Sequence, residues 1–252
     1  MLDNNNKDSY DEGLGTVYER IMLNRYFDSL LGKYEIKHVL ETPVFGMTGL
    51  TGINSIEFAK NGCIVTLSDK APAIKSATGL WNKLSLPLNT IELNNFDNIP
   101  LENKTFDLVW NFAALWYLKQ APTLVHNMCR LSKDLVLIFI QNTHQPGYWI
   151  RKCCNMIPKD INEEWLNISL YEKILIQNRF KIVQRGYIDV PPFPDIASPI
   201  GKKVKNDWNW NIMDYYMSKD DGLLERLKKY EFLEKYQIPF WAHHKFILGQ
   251  RI

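Results

Sequence analysis

Several features that would classify a protein at a glance are missing here. No apolar run approaches the ~20 residues needed to cross a bilayer, so no membrane-spanning helix is expected. Charge of one sign is missing too. Thirty Lys and Arg face 28 Asp and Glu, for a formal net charge of +2. A nucleic-acid binder would show a basic stripe, and the densest basic cluster, GKKVK at 201–205, reads as a solvated turn. No nucleic acid is therefore expected as a partner. Cysteine is scarce, at four residues, and no Cys-x-x-Cys pair occurs, which argues against a structural zinc site; no metal is expected. The adjacent Cys153 and Cys154 read as two buried or half-buried thiols rather than a redox pair. The G-x-G-x-x-G spacing of the dinucleotide fingerprint does not occur in the loop where it would be expected. Repeats and low-complexity tracts are also absent. The polar, acidic start MLDNNNKDSYDEG lacks the pattern of a secretory signal, so the cytoplasm is the expected compartment.

What is present is a regular alternation of apolar strands and amphipathic helices. Thr16 and Glu19 have capping-box spacing, predicting a helix over 16–31 closed by Gly32. Short apolar runs at 37–41, 63–69, 89–93, 106–112 and 134–142 read as strands, with helices near 53–61, 71–84 and 119–132 between them. Residues 143–164 read as an irregular excursion. Ser169 and Glu172 make a second capping box, and 180–188 and 243–251 complete the strands. Alternating strands and helices imply a Rossmann-like α/β fold, with a mostly parallel seven-stranded sheet and helices on both faces. We expect a single domain over 1–252. An N-terminal helical lid would occupy 1–34, and a helical, aromatic cap at 190–240 would be inserted between the last two strands.

One stretch carries the chemistry. ETPVFGMTGLTGINS, residues 41–55, places Gly46, Gly49 and Gly52 between a strand and a helix. Backbone N–H groups in such a loop can approach a ligand closely, and the helix N-terminus adds partial positive charge. Asp69, 17 residues beyond Gly52, ends the second strand. An ionised carboxylate there accepts hydrogen bonds from ribose hydroxyls.

With the downstream blocks, the chain resembles the class I S-adenosylmethionine-dependent methyltransferases, of the methyltransferase type 11-like kind. VLETPVFGMTGLTG resembles their first motif and VTLSDKAP their second. NNFDNIPLENKTFDLVWNFAALWYL resembles the block in which a Leu-Pro-Phe-like triplet precedes a Phe-Asp-Leu-Val strand, and 180–188 and 243–251 resemble the final hairpin. The likeness covers roughly 37–188 and 243–251. It implies S-adenosylmethionine as cofactor and methyl transfer to a small molecule by in-line displacement. Glu41 would organise the loop, and Gly46, Gly49 and Gly52 would let it close on the cofactor. Asp69 would meet the ribose, Asn95 and Phe96 the adenine, and Asn111 and Phe112 the region of the sulfonium. Tyr10 would close from the N-terminus. His144 and Tyr117 are the candidate acceptor-activating residues, and Trp116 and Tyr148 candidate substrate contacts. His243 and His244 alternate faces on the last strand, so at most one is expected to point inward. Thr42 to Phe45 lengthens the loop relative to the family pattern, and Pro43 removes a donor. That departure keeps a second reading open, a non-catalytic cofactor-binding protein with a degenerate site. A nicotinamide-dependent oxidoreductase is a third, but it leaves the NNFDNIPL and FDLV blocks unexplained. The aromatic and basic stretch GYWIRKCCNMIPK, residues 147–159, is suited to lying on a membrane surface, so peripheral membrane contact without insertion is a further expectation.

Overall fold

The computed structural model describes residues 10–11, 13–44, 50–155, 157, 160–190, 198–199, 216, 228, 235–236 and 239–252. Gly46, Gly49, the GKKVK cluster and the cap aromatics Trp208, Trp210 and Tyr215 lie outside these residues. So does most of the expected cap at 190–240.

A seven-stranded sheet organises the chain. After a two-residue strand β1 (Tyr10–Asp11) and helix α1 (Gly13–Lys33) come β2 (His38–Glu41), α2 (Ile56–Lys60), β3 (Ile64–Asp69), α3 (Ala71–Lys83) and β4 (Asn89–Glu92). The chain then returns to the middle of the sheet with β5 (Phe106–Phe112), α4 (Ala121–Leu131), β6 (Ser132–Gln141), α5 (Pro146–Cys153) and α6 (Ile168–Gln177). It ends with β7 (Phe180–Ile188), β8 (Ser198–Pro199) and β9 (His244–Arg251). The sheet order is β4-β3-β2-β5-β6-β9-β7, and β8 pairs with β1 in a separate ribbon. The five strands from β4 to β6 run parallel, and β9 lies antiparallel between β6 and β7.

Burial explains this order. Val136 to Ile140 of β6 are all fully buried, as expected of a central strand covered on both faces. The edge strand β4 is mostly exposed. Between the sheet and α1 lies an aromatic cluster. The Phe27 ring sits 4.4 Å from Phe58 and 4.9 Å from Trp110, while Phe112 and Phe246 pack 5.4 Å and 5.2 Å from Phe139. Of the cap aromatics among the described residues, Tyr216 is buried and accepts a hydrogen bond from Asn24 of α1 at 2.8 Å, whereas Tyr236 and Phe240 are exposed.

Several local expectations need correction. α1 begins at Gly13, so Thr16 lies inside the helix and not at its start, and Gly32 is helical too. The side chain that caps α6 is Asn167, accepting from the Ser169 N–H at 3.1 Å; Glu172 instead pairs with Arg185 at 2.7 Å. The excursion after β6 contains α5, a helix whose Pro146 occupies its first turn, where no backbone donor is needed. Cys153 and Cys154, expected buried or half-buried, are exposed and free.

Candidate functional site

The chain runs outward from β2 through β3 to β4, then comes back to lay β5 on the other side of β2. That reversal puts the topological switch point at the carboxyl ends of β2 and β5, the crevice where open α/β sheets bind ligands. Thr42 follows β2 there, and its N–H donates to the Trp110 carbonyl of β5 at 3.0 Å. Next to it, the buried Asn111 amide donates to the carbonyls of Thr42 at 3.3 Å and Pro43 at 3.5 Å.

Two carboxylates mark the crevice. Glu41 is fully buried and accepts from Ser55 Oγ at 2.6 Å and Asn54 Nδ2 at 3.1 Å. Burial pushes its carboxyl up to about 7, against the lowering effect of those two hydrogen bonds and of Arg20. Arg20 of α1 donates to the other end of the Asn54 amide, tying α1 to the loop. Asp69 ends β3, nearly buried, and accepts from the Val44 N–H at 3.0 Å and the Lys70 N–H at 2.6 Å. The protein's own loop therefore already satisfies part of this carboxylate.

Gly52 has a packing reason for lacking a side chain. Its φ is +80°, and a Cβ there would lie 2.4 Å from the Ala77 Cβ of α3. Its carbonyl accepts from Trp81 Nε1 at 2.8 Å, so this glycine seats the loop on α3.

The remaining expected residues are scattered around the crevice. Asn95 is exposed and accepts from the Asp97 N–H at 3.1 Å, forming a tight turn. Phe96 is half-buried against the core. Phe112 is buried at the end of β5, with its ring 4.9 Å from that of His244. Trp116 is fully buried, and the half-buried Tyr117 ring lies 5.7 Å away. Tyr148 is buried too. Its hydroxyl donates to Glu163 at 2.8 Å, and burial followed by that carboxylate raises its pKa to about 12. His144 is exposed in the turn before α5. Tyr10 contributes backbone pairing with Pro199.

Residues with no common role legible in the sequence form a buried charged cluster beside Phe112. His244 is 3% exposed, and its Nδ1 lies 3.1 Å from Glu19 Oε2. His243 Nδ1 lies 2.5 Å from Asp189 Oδ2. The expectation that at most one histidine would point inward fails because β9 begins at His244; His243 precedes the strand and escapes its alternation. Both imidazoles engage buried carboxylates. The only sequence signal was the His-His pair itself, since its partners lie 54 and 225 positions away.

For a donor carrying ammonium, carboxylate and hydroxyl groups, a fitting crevice would offer polar atoms still in need of partners. Thr42 Oγ1, Ser68 Oγ and Asn111 Oδ1 are such atoms, buried without a hydrogen-bond partner among the described residues at or near the carboxyl ends of β2, β3 and β5. An amide oxygen suits an ammonium donor, and a hydroxyl serves as donor or acceptor.

Sheet order, switch point and strand-end carboxylates together define a Rossmann-like fold of the class I methyltransferase type. Residues 46–140 match the family described as a methyltransferase domain. Over this span, under half of the chain, the sequence is similar to that family. No sequence among the curated proteins matches the chain. Among solved structures it is similar to a magnesium protoporphyrin IX methyltransferase from Synechocystis PCC 6803 with bound SAH, at a TM-score of 0.59 and 11% identity over 100% of this chain and 89% of that one. A geranyl diphosphate methyltransferase in complex with SAM is similar at 0.55 and 14%, over 93% and 86% of the two chains. The [4+2]-cyclase SpnF is similar at 0.55 and 11%, over 90% and 80%. At these identities the likeness establishes the fold alone, and the cyclase illustrates that the fold does not fix the reaction.

Proposed function

We propose that the protein is an S-adenosylmethionine-dependent methyltransferase that acts on a small molecule. The observation that carries this reading is the set of buried polar atoms at the switch point that have no hydrogen-bond partner among the described residues, Thr42 Oγ1, Ser68 Oγ and Asn111 Oδ1. Asp69 and Asn95 would hold the nucleoside part, with Phe96 as a wall. Asn111 would accept from the ammonium group, and Glu41 would keep Asn54 and Ser55 in place under the loop that carries Gly46, Gly49 and Gly52. Tyr10 would close over the cofactor from the N-terminal side. When bound, the cofactor supplies an electrophilic methyl group for in-line displacement. The protein's own residues align the acceptor, exclude water and, for an alcohol or phenol, receive its proton. Phe112 would border the acceptor space, with His144 and Tyr117 as the candidates for proton handling and Trp116 and Tyr148 shaping the wall.

A second reading, a binding protein without catalysis, is favoured by one contact. Asp69 already accepts from the Val44 N–H, so the lengthened loop lies on the carboxylate meant for the ribose. Isothermal titration separates the two. The methyltransferase reading expects saturable binding of both S-adenosylmethionine and S-adenosylhomocysteine, weakened at least tenfold in Asp69→Ala. Absence of binding at millimolar ligand would rule out both cofactor readings. Binding without any turnover across amine, phenol, alcohol and thiol acceptors would leave the non-catalytic one.

A further inference from the structure

Glu19 of α1, Asp189 after β7 and His244 at the start of β9 bring one ligand atom each to within 4.8 Å of one another. All three side chains are buried, at 1%, 0% and 3% exposure. A donor set of two carboxylates and one imidazole, converging from three separate elements away from water, is unusual for purely structural use, because each buried charge carries a large desolvation cost. The cluster also retains unused binding capacity. Glu19 Oε1 and the His244 ring nitrogens have no hydrogen-bond partner among the described residues, although Nδ1 lies beside the Glu19 carboxylate. His243 meanwhile holds Asp189 through Oδ2 at 2.5 Å, the kind of outer contact that orients a ligating carboxylate.

We propose that Glu19, Asp189 and His244 form a binding site for a divalent first-row transition cation, such as Zn²⁺ or Mn²⁺. Mixed oxygen and imidazole donors suit these ions better than Mg²⁺ or Ca²⁺, which take oxygen, or Cu⁺, which takes sulfur. At metal–ligand lengths of about 2.0–2.2 Å, tetrahedral ligand atoms lie about 3.3–3.6 Å apart. Glu19 and His244 are already at 3.1 Å, so Asp189 supplies whatever closing is needed. Three protein ligands leave at least one position open, for water or for an oxygen of the acceptor. The cluster itself borders Phe112, whose ring is 4.9 Å from His244. Arg20 Nη1 lies 3.7 Å from Glu19 Oε1 and would remain as a neighbouring cation tied to Asn54.

The site stands apart from the cofactor reading and is tested without S-adenosylmethionine. Chelator-treated, dialysed full-length protein is titrated calorimetrically with ZnCl₂ and separately with MnCl₂. About one equivalent of metal is expected to bind, and Glu19→Gln and His244→Asn are each expected to weaken binding at least 100-fold. His126→Ala, which removes an exposed imidazole outside the cluster, is expected to leave binding unchanged. Thermal melts of each variant establish that it is folded, and Glu19→Gln serves if His244→Asn does not fold. Anomalous diffraction from a Zn²⁺-soaked crystal is expected to peak between the three side chains. No stoichiometric binding, binding unaffected by Glu19→Gln, or binding lost in His126→Ala would overturn the proposal, and the cluster would then be a protein-only ion-pair network.

Discussion

At the residue scale, Glu41 and Gly52 show how differently two motif positions are used. Burial raises the Glu41 carboxyl from its ordinary value of 4.5 to about 7. Between those values the folded protein holds a proton that the unfolded chain has released, so stability falls as pH rises through that window. Glu41→Gln removes the effect. Its thermal stability relative to the parent is expected to improve from pH 5 to pH 8, by on the order of 3 kcal/mol at most. Melts of both proteins across that range check the sign, and a constant or shrinking difference would contradict the assignment. Gly52→Ala meets two obstacles, the positive φ and Ala77. A loss of at least about 2 kcal/mol is expected in chemical denaturation. Ala77→Gly added to it is expected to restore only part of that loss, because it relieves the collision and not the backbone. That Gly52 sits in a loop and needs backbone freedom was legible, as its positive φ bears out. That Gly52 serves α3 packing was not, since Ala77 belongs to the next helix.

At the element scale, the strands were legible because buried parallel strands are short unbroken apolar runs; β3, β5 and β6 were placed within two residues of their observed limits. Helix starts were less so. Thr16 and Glu19 have capping-box spacing, yet Glu19 turns inward to His244, a contact that local spacing cannot reveal. At α6 the cap lies two residues earlier than read, because Asn167 competes with Ser169 for the same role. Asn167→Ala is expected to cost about 1 kcal/mol, measurable by urea denaturation. Helix α5 was hidden by its Pro-Gly start, which reads as a turn. It exposes Trp149 at 53% and Ile150 at 62%, with Arg151 and Lys152 following. A peripheral membrane role for this helix predicts co-flotation with anionic vesicles and its loss in a Trp149→Ser, Ile150→Ser double variant. Failure of the parent protein to float removes that role.

At the scale of the whole molecule, the order of strands decides where chemistry can occur. The return of the chain from β4 to β5 beside β2 creates a crevice whatever the side chains, and Glu41, Asp69 and Asn111 reach it because each ends, or nearly ends, one of the three strands around it. That much followed from the alternation of elements and the position of the acidic residues. The charged cluster beside Phe112 joins an N-terminal helix to the last strand, and only the folded molecule brings those ends together. No described helix is long and apolar enough to cross a membrane.

Whether the switch-point crevice holds S-adenosylmethionine for methyl transfer is decided by a crystal structure with S-adenosylhomocysteine bound. The ribose hydroxyls are expected on Asp69, with the Val44 N–H displaced or sharing the carboxylate, and the ammonium group on Asn111 Oδ1. The sulfur is expected to face Phe112. A ligand bound elsewhere, or a crevice still closed by Pro43 and Val44 at saturating ligand, would contradict it.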